Sequence, residues 1–412
     1  MKYAVVTFGC RVNQADSLSI EGSLRARGGV CTAPDEADLV VVNTCSVTAA
    51  ADQGARQTIR RIARGNPGAR IVVTGCYASR RPDELSALPN VTHVISNQFK
   101  DDLLDVVPVR ELFPDSTATR YGDGDGPCGA ALEPGVAGRT AFTLRVQTGC
   151  AERCSYCIIP TTRGASRSRP LAEVVRQLEH AIASGYKEVV IAGVHLGSYG
   201  RDLGDGTTLA SLVRRLAEWN ADVLFRISSL EPMDCTDEVV DLVAGSPRLA
   251  PHFHLPLQHG ADRVLRRMRR PYTAAAYRRL VERIRAVMPH ASIGSDVIVG
   301  FPGETDADFE ESASWIEQLP LTHLHVFPYS DRPGTDASAL DGKVEGAAIR
   351  DRGQRMRAIG HEMSVRFRRA QAGTIRRALS VDDGLSAVTD NFLKVRLAER
   401  VPRNLWVEVR ID

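Results

Sequence analysis

Three apolar runs in the first 76 residues each end at a cysteine, and this repeat constrains the fold more than any other feature. The runs are YAVVTFGC ending at Cys10, DLVVVNTC ending at Cys45 and RIVVTGC ending at Cys76, each followed by a helical stretch. Continuous Val/Ile runs that alternate with helices predict a buried parallel sheet. Because ligands gather at the carboxyl ends of parallel strands, we expect the three thiols to lie at one edge of this sheet. A fourth run, VTHVIS, is predicted to complete the domain, with KDDLLDVV as its closing helix.

The rest of the chain divides into a linker, a longer α/β series and a small β module. Residues 114–139 are rich in Gly, Pro and Asp, which predicts a linker. Six apolar runs then alternate with helical stretches: AFTLRVQTG, EVVIAG, VLFRISS, HFHLPLQ, SIGSDVIVG and HLHVFPYS. Six βα steps are fewer than the eight of a closed barrel and predict an open partial barrel. The strand-like runs after residue 368 predict an all-β module.

The predicted fold is therefore α/β, with an N-terminal parallel-sheet domain over residues 1–113 and a linker over 114–139. A partial (β/α)6 barrel follows over 140–367, and an all-β module over 368–412. The chain has 412 residues, a net charge of +2 and no apolar stretch of 18 residues, so we expect several domains and no membrane span. The N-terminal apolar run is too short for a signal peptide, which predicts a cytoplasmic protein.

A second group of thiols lies in the segment CAERCSYCIIPTTRG, where Cys150, Cys154 and Cys157 have the spacing C-x3-C-x2-C. Cytoplasmic thiols stay reduced, so clustered cysteines indicate metal ligands or catalytic groups before disulfides. Three thiolates can ligate three corners of a 4Fe–4S cluster and leave one iron open for chemistry. The alternative is a zinc site, which needs four ligands. The nearest candidate for its fourth ligand in the sequence is Cys128.

The three strand-end cysteines support the same interpretation. Alone, each would be a buried small hydrophobe, the usual role of a free cysteine. Cys10, Cys45 and Cys76 are too far apart in sequence for a zinc finger, yet they occupy equivalent strand ends, which favours a second cluster with one open iron. Cys31 and Cys235 lack this placement and are assigned no role, as is Cys128.

These two tri-cysteine sets, in this order, resemble the methylthiotransferase branch of the radical S-adenosylmethionine enzymes. The resemblance covers nearly the whole chain. It includes the segments GCRVNQADS, NTCSVTAAAD, TGCYASRRP, CAERCSYCIIPTTRGASRSRP, GVHLGSYG, RISSLEP, HLPLQHGADRVLRRMRRPY and DVIVGFPGET. The C-terminal module resembles the TRAM domain, which presents the substrate-binding surface in this family. Ala151 departs from the polar residue that often follows the first cluster cysteine, but it is not a ligand.

The resemblance implies two 4Fe–4S clusters and S-adenosylmethionine as cofactors. In the family, a 5′-deoxyadenosyl radical formed at the cluster of Cys150, Cys154 and Cys157 removes the C2 hydrogen of an adenine. Sulfur then comes from the second cluster, and another S-adenosylmethionine supplies the methyl group. Four segments look most like the group that acts on N6-threonylcarbamoyladenosine at tRNA position 37: GCRVNQADS, GVHLGSYG, RISSLEP and LHVFPYSDRPGTDAS. The alternatives are isopentenyladenosine in tRNA and an aspartate of a ribosomal protein.

The same resemblance implies the tRNA anticodon arm as a partner, a low-potential electron donor of the flavodoxin or ferredoxin type, and a monomer. It also suggests residues that contact S-adenosylmethionine, each of which has a plain alternative as a packing, turn or loop residue. His195 is equally a structural histidine or a substrate contact. The candidate cofactor-binding residues are Tyr156, Gly193, Glu231, Gln258, Asp296 and Gly300.

One arginine-rich stretch, RVLRRMRRPYTAAAYRRLVERIR, is either a solvated helix face or a track for anticodon-arm phosphates. Arg163, Arg167 and Arg169 follow the cluster loop, and each reaches RNA phosphate, cofactor carboxylate or neither. Two other classes of protein remain as alternatives. An RNA-binding protein with two structural metal sites would hold zinc, and an iron–sulfur electron carrier would need no RNA-binding face.

Overall fold

The computed structural model describes residues 1–107 and 140–412, so the predicted linker 114–139 and Cys128 lie outside the described residues. The described residues form two compact units. The first comprises residues 1–107, 143–152 and 157–179, and the second comprises residues 140–142, 153–156 and 180–412.

The first unit contains a five-stranded, all-parallel sheet with the order β2-β1-β3-β4-β5. Helices cover both faces of the sheet, because the continuous apolar runs make both faces apolar. On one face Ile59 of α2 packs with Val40, and on the other Leu24 of α1 packs with Val41. The strands are β1 (Lys2–Thr7), β2 (Val30–Cys31), β3 (Leu39–Thr44), β4 (Arg70–Gly75) and β5 (Val91–Ile95). The helices are α1 (Arg11–Ala26), α2 (Ala49–Gly65), α3 (Cys76–Arg80), α4 (Pro82–Ser86) and α5 (Leu103–Val106). The predicted parallel sheet is confirmed, and the short edge strand β2 is the element that the apolar pattern missed.

The chain on either side of the C-x3-C-x2-C segment adds short elements to the first unit. Strands β7 (Gln147–Thr148) and β8 (Arg167–Ser168) pair in antiparallel fashion, and α6 (Ile159–Arg163) packs against α3. This contact brings the residues that follow Cys157 next to the helix that begins at Cys76.

The second unit contains a series of parallel strands that alternate with helices. Strand β9 (Glu188–Ala192) pairs with β10 (Leu224–Ile227), and β11 (His252–His254), β12 (Ser292–Val299) and β13 (His323–Pro328) pair in that order. A bridge between Ser229 and His254 joins the two groups of strands. The first of the six predicted runs forms β6 (Phe142–Arg145), and most of β6 and of α7 (Leu171–Ala183) belongs to the first unit. All six predicted runs form strands, and the partial barrel is confirmed. The helices of the second unit are α8 (Leu209–Ala217), α9 (Asp237–Gly245), α10 (Asp262–Arg267), α11 (Ala274–Val287), α12 (Asp306–Glu317) and α13 (Gly346–Gln371).

The C-terminal residues form a four-stranded antiparallel sheet in the order β16-β15-β14-β17. Its strands are β14 (Ile375–Val381), β15 (Ser386–Thr389), β16 (Lys394–Arg396) and β17 (Trp406–Arg410), which confirms the predicted all-β module. The loop after β15 docks on the parallel strands, since the buried guanidinium of Arg226 donates to the Asp390 carbonyl at 3.0 Å. None of the helices in the described parts of the chain is long and apolar enough to cross a membrane.

Candidate functional site

Cys10, Cys45 and Cys76 lie at the carboxyl ends of β1, β3 and β4, which are neighbours in the sheet. Gly9 has a φ of +92° and approaches Cys45 so closely that a Cβ at Gly9 would lie 2.6 Å from the Cys45 Sγ. Glycine is required for this approach. Burial raises the pKa of Cys45 to about 11, and the neighbouring thiols of Cys76 and Cys10 act in the same direction. The three thiols thus meet at one sheet edge, while their role as ligands stays a prediction.

A compact group of metal-ligating side chains occurs elsewhere in the described residues. Within residues 1–107 and 140–412, one group of His, Cys, Asp or Glu places three donor atoms within 4.8 Å of one another, and it is His254, Asp296 and His325. Cys10, Cys45 and Cys76 are not in that group, and the prediction that they ligate a cluster depends on the sheet edge that they share.

The surroundings of Cys76 favour an anionic ligand. Burial alone would raise its pKa, but the charges of Arg163 and Lys100 and a hydrogen bond from Arg163 outweigh burial and lower the pKa. Asn97 Nδ2 also lies 3.6 Å from the Cys76 Sγ. Because a thiolate is the form that binds iron, this environment suits metal ligation.

Arg163 belongs to a buried network of three cations around one carboxylate. Asp16 receives hydrogen bonds from Lys100 Nζ at 2.9 Å and Arg163 Nη2 at 3.2 Å, and Arg145 Nη1 lies 2.8 Å from its other oxygen. Burial would raise the pKa of Asp16, but Lys100, Arg145 and Arg163 outweigh it and hold the pKa well below its usual range. Arg145 also pairs with Asp101 at 2.8 Å, so three cations face two carboxylates, and the positive charge of Arg163 and Lys100 beside Cys76 suits an anionic ligand.

Arg163 also joins the two cysteine segments of the first unit. Its Nη1 donates to Thr148 Oγ1 at 3.0 Å, two residues before Cys150, and its Nη2 donates to Asn13 Oδ1 at 2.5 Å, three residues after Cys10. Only 4% of Arg163 is exposed, so the RNA-phosphate role considered from the sequence is wrong for this residue.

In the second unit, Arg270 connects Cys154 with two predicted cofactor residues. Its Nη1 lies 3.1 Å from the Cys154 Sγ and 3.5 Å from the Tyr156 hydroxyl, and its Nη2 pairs with Glu231. Its Nε donates to the Tyr272 hydroxyl at 2.9 Å. The structure therefore brings Tyr156 and Glu231 together beside Cys154, through an arginine of the arginine-rich stretch.

Of the other predicted cofactor residues, Gly193 and Gly300 directly follow strands, Asp296 lies within β12 and Gln258 lies in the loop after β11. Gln258 has a φ of +72° and its backbone N–H donates to the Asp296 carbonyl at 2.8 Å, so these two are neighbours. Gly193 directly follows β9, and the Gly300 N–H donates to the buried Glu304 carboxylate at 2.7 Å. Contact of these four residues with S-adenosylmethionine stays a prediction.

His195 favours the structural alternative. Its Nε2 lies 2.7 Å from Asp234, whose other oxygen pairs with Arg201 at 2.6 Å, and only 3% of His195 is exposed. A buried histidine with a satisfied carboxylate partner is a packing element of the loop after β9.

The arginine-rich stretch does not form one free basic track. Seven of its nine arginines pair with acidic groups or backbone carbonyls of the second unit. They are Arg263, Arg267, Arg269, Arg270, Arg278, Arg283 and Arg285. This favours the helix-face alternative for the stretch as a whole.

Three groups were not predicted from the sequence: Arg270, the network around Asp16, and the histidines at 254 and 325. The sequence pattern could have indicated the histidines. In HFH and in HLH two histidines are two positions apart, the spacing that places side chains on one face of a strand. Nothing in the sequence separates Arg270 from its neighbours, since its partner Glu231 is 39 residues away.

Two family models match the chain. The radical SAM superfamily matches residues 144–316, and the family described as "Uncharacterized protein family UPF0004" matches residues 2–96. These ranges contain the C-x3-C-x2-C segment and the strand-end cysteines respectively.

Curated relatives match over most of the chain. The threonylcarbamoyladenosine tRNA methylthiotransferase MtaB of Aquifex aeolicus is 35% identical over 96% of both chains, and that of Bacillus subtilis is 35% identical over 88% of this chain and 80% of its own. The tRNA-2-methylthio-N(6)-dimethylallyladenosine synthase of Frankia alni is 35% identical over 88% of this chain and 74% of its own. A solved structure of the radical S-adenosylmethionine methyltransferase TsrM from Kitasatospora setae is 18% identical, with a TM-score of 0.57 over 82% of this chain and 73% of that one. That structure shows a shared fold.

Proposed function

The chain belongs to the tRNA methylthiotransferases of the radical S-adenosylmethionine superfamily, and from this membership we propose that it modifies adenosine 37 of tRNA. The substrate is N6-threonylcarbamoyladenosine, and the product is its 2-methylthio derivative. The MtaB relatives act on this nucleoside by name and align over as much as 96% of the chain.

The observation that carries the proposal is the meeting of Cys10, Cys45 and Cys76 at one sheet edge of a chain that also holds the C-x3-C-x2-C segment. Two separate sets of three thiols suit two 4Fe–4S clusters, each with one open iron. A structural zinc site or a simple electron carrier has no use for an open coordination position on both.

When bound, the two clusters and S-adenosylmethionine supply the radical, the sulfur and the methyl group. The chain's own residues hold and shield them. Cys150, Cys154 and Cys157 would ligate one cluster, and the three strand-end cysteines the other. Arg270 and Glu231 offer a charged pair beside Cys154 for the amino-acid end of S-adenosylmethionine. Arg163 places positive charge at the Cys76 thiol.

The second candidate substrate is dimethylallyladenosine in tRNA, which the relative from Frankia alni supports at the same 35% identity. Both substrates are adenosines of tRNA, so tRNA is the macromolecular partner in either case. We further propose an electron donor of the flavodoxin or ferredoxin type, a monomeric enzyme and a cytoplasmic location, where tRNA is modified.

The experiment that tests the function is an anaerobic assay of the reconstituted protein with S-adenosylmethionine and a reductant. One tRNA carries threonylcarbamoyladenosine and another carries dimethylallyladenosine. A methylthio mass gain on threonylcarbamoyladenosine supports the proposal. A gain on dimethylallyladenosine alone would show that this nucleoside is the substrate instead. No gain on either would refute it.

A Gly9→Ala substitution tests the packing of the strand-end cysteines. The added Cβ would overlap the Cys45 side chain, so we expect the variant to lose about four irons after reconstitution, those of one 4Fe–4S cluster. Gly28→Ala is the matched control. Gly28 also has a positive φ, +81°, but an added Cβ would meet nothing within 4 Å. Equal iron contents in the two variants would show that the approach of Gly9 to Cys45 does not shape the site.

A further inference from the structure

One face of the adjacent strands β11, β12 and β13 carries histidines and an aspartate. Asp296 of β12 lies opposite His325 of β13, and His254 of β11 lies opposite Gly294 of β12. Since side chains alternate along a strand, these positions share a face. A helix covers the other face, because Leu324 lies against Gly360 of α13. Ile293 and every second residue after it in β12 are buried on that face. The histidines therefore lie on the inner face of the partial barrel.

The two imidazoles converge on one carboxylate oxygen. His254 Nε2 lies 2.9 Å and His325 Nδ1 lies 3.2 Å from Asp296 Oδ1, and the two rings are 5.2 Å apart. Burial would raise the pKa of Asp296, but hydrogen bonds from His254 and His325 outweigh it and hold the pKa well below its usual range. Asp296 is thus an ionised acceptor that fixes the orientation of both rings.

The cluster opens toward solvent at one end. The side chains of His254, Asp296 and His325 are 13%, 23% and 57% exposed. His323, next to them, has its pKa lowered to about 4 by burial and by the charges of His254 and His325, so it is a neutral packing residue. Gly294 leaves room for its ring, since a Cβ there would lie 2.1 Å from His323 Nε2. A ligand inside the barrel would therefore meet His325 first.

We propose that His325 and His254, oriented by Asp296, bind the carboxylate of the threonylcarbamoyl group on the substrate adenosine. This inference rests on the proposed function and adds the residues that select the N6 substituent. Each ring uses one nitrogen on Asp296 Oδ1 and has a second nitrogen for a ligand, and two protonated rings beside one carboxylate would accept a further anion. Charge-assisted hydrogen bonds to a carboxylate are strong and directional.

The chemistry of the two candidate substituents decides between them. A threonylcarbamoyl group ends in a carboxylate and a hydroxyl, whereas a dimethylallyl group is wholly apolar. Binding the apolar group here would desolvate the histidines and Asp296 without giving them a new hydrogen bond. Such unpaired polar groups lower the binding affinity strongly. The inner face at β11–β13 is thus built for the charged substituent.

The test compares tRNAs that differ only at the N6 position of adenosine 37, one with threonylcarbamoyl and one unmodified. Dissociation constants are measured for the reconstituted wild type, for His325→Leu, for His325→Gln and for His361→Leu. His361 is an exposed residue of α13 and serves as the matched control. Iron content confirms that each variant is folded and loaded.

We expect the wild type and H361L to prefer the threonylcarbamoyl tRNA, and H325L to lose roughly a factor of ten or more of that preference, as expected for a charged hydrogen bond. H325Q, which keeps a donor, is expected to fall between them. An unchanged preference in H325L, with wild-type turnover of the threonylcarbamoyl substrate, would overturn this inference and leave the proposed function standing. Absence of that turnover would instead defeat the proposed function.

The same three residues also match a two-histidine, one-carboxylate metal site. The metal content of the loaded enzyme separates the two arrangements. No divalent ion beyond the cluster iron supports direct recognition by the imidazoles. One equivalent of such an ion, lost in H325L, would overturn it.

Discussion

Purified without oxygen and reconstituted with iron and sulfide, the protein is expected to hold about eight irons, and a C150A/C154A/C157A variant about four. The loss is selective because Cys10, Cys45 and Cys76 lie on the sheet edge of residues 1–107 and need none of the three substituted thiols as ligands. A C10A/C45A/C76A variant is expected to lose the complementary four. Both variants should form no methylthio product, since the reaction uses both clusters. Iron and acid-labile sulfide analysis provides the measurement.

The matched control for these variants is C31A/C235A, which removes two thiols outside both sets. Cys31 lies on the edge strand β2 and Cys235 lies between β10 and α9, so neither belongs to the carboxyl ends of β1, β3 and β4 or to the C-x3-C-x2-C segment. This variant should keep about eight irons. Zinc in the purified protein, or a single cluster that one triple variant abolishes, would contradict the two-cluster arrangement. The second set of cysteines would then be structural thiols.

The placement of the cysteines could be predicted from the sequence because it depends on local pattern. An apolar run that continues to a Gly-Cys or Thr-Cys pair predicts both a buried parallel strand and the end of that strand. Once β1, β3 and β4 are adjacent, their carboxyl ends share one edge without further information. The six strands of the partial barrel follow from the same pattern of runs and helices.

The electrostatic part of the site could not be predicted, because its contacts join distant positions. Arg163 is followed by the Ser- and Arg-rich segment GASRSRP, which is typical of an exposed segment, yet its partner Asp16 lies 147 residues earlier. Likewise, Arg270 reaches Cys154 across 116 residues. In both cases an arginine in a basic stretch is buried by tertiary contacts, and charge patterns in a sequence do not show which member of a run turns inward.

The Asp16 network supplies the second large expected effect, through an Arg163→Leu substitution. The leucine would remove hydrogen bonds to Asn13, Thr148 and Asp16 at buried positions and the positive charge at the Cys76 thiol. Breaking a buried ion pair by removing one partner costs about 3–5 kcal/mol of stability. We therefore expect a lower thermal midpoint of unfolding and loss of about four irons, those of the cluster at Cys76.

Two comparison variants make this expectation specific to the geometry of Arg163. Arg163→Lys keeps the charge but not the planar fork that reaches several acceptors, so it should recover part of the iron and part of the stability. Arg167→Leu changes an exposed arginine four residues away, and its stability should stay within about 0.5 kcal/mol of the wild type. If R163L kept about eight irons and the wild-type midpoint, the buried cations would not be what holds α6 beside Cys76. Iron loss without destabilisation would show that Arg163 acts on the Cys76 thiol alone. Loss of both iron and stability would show that its buried guanidinium stabilises the fold and also supplies positive charge at the cluster site.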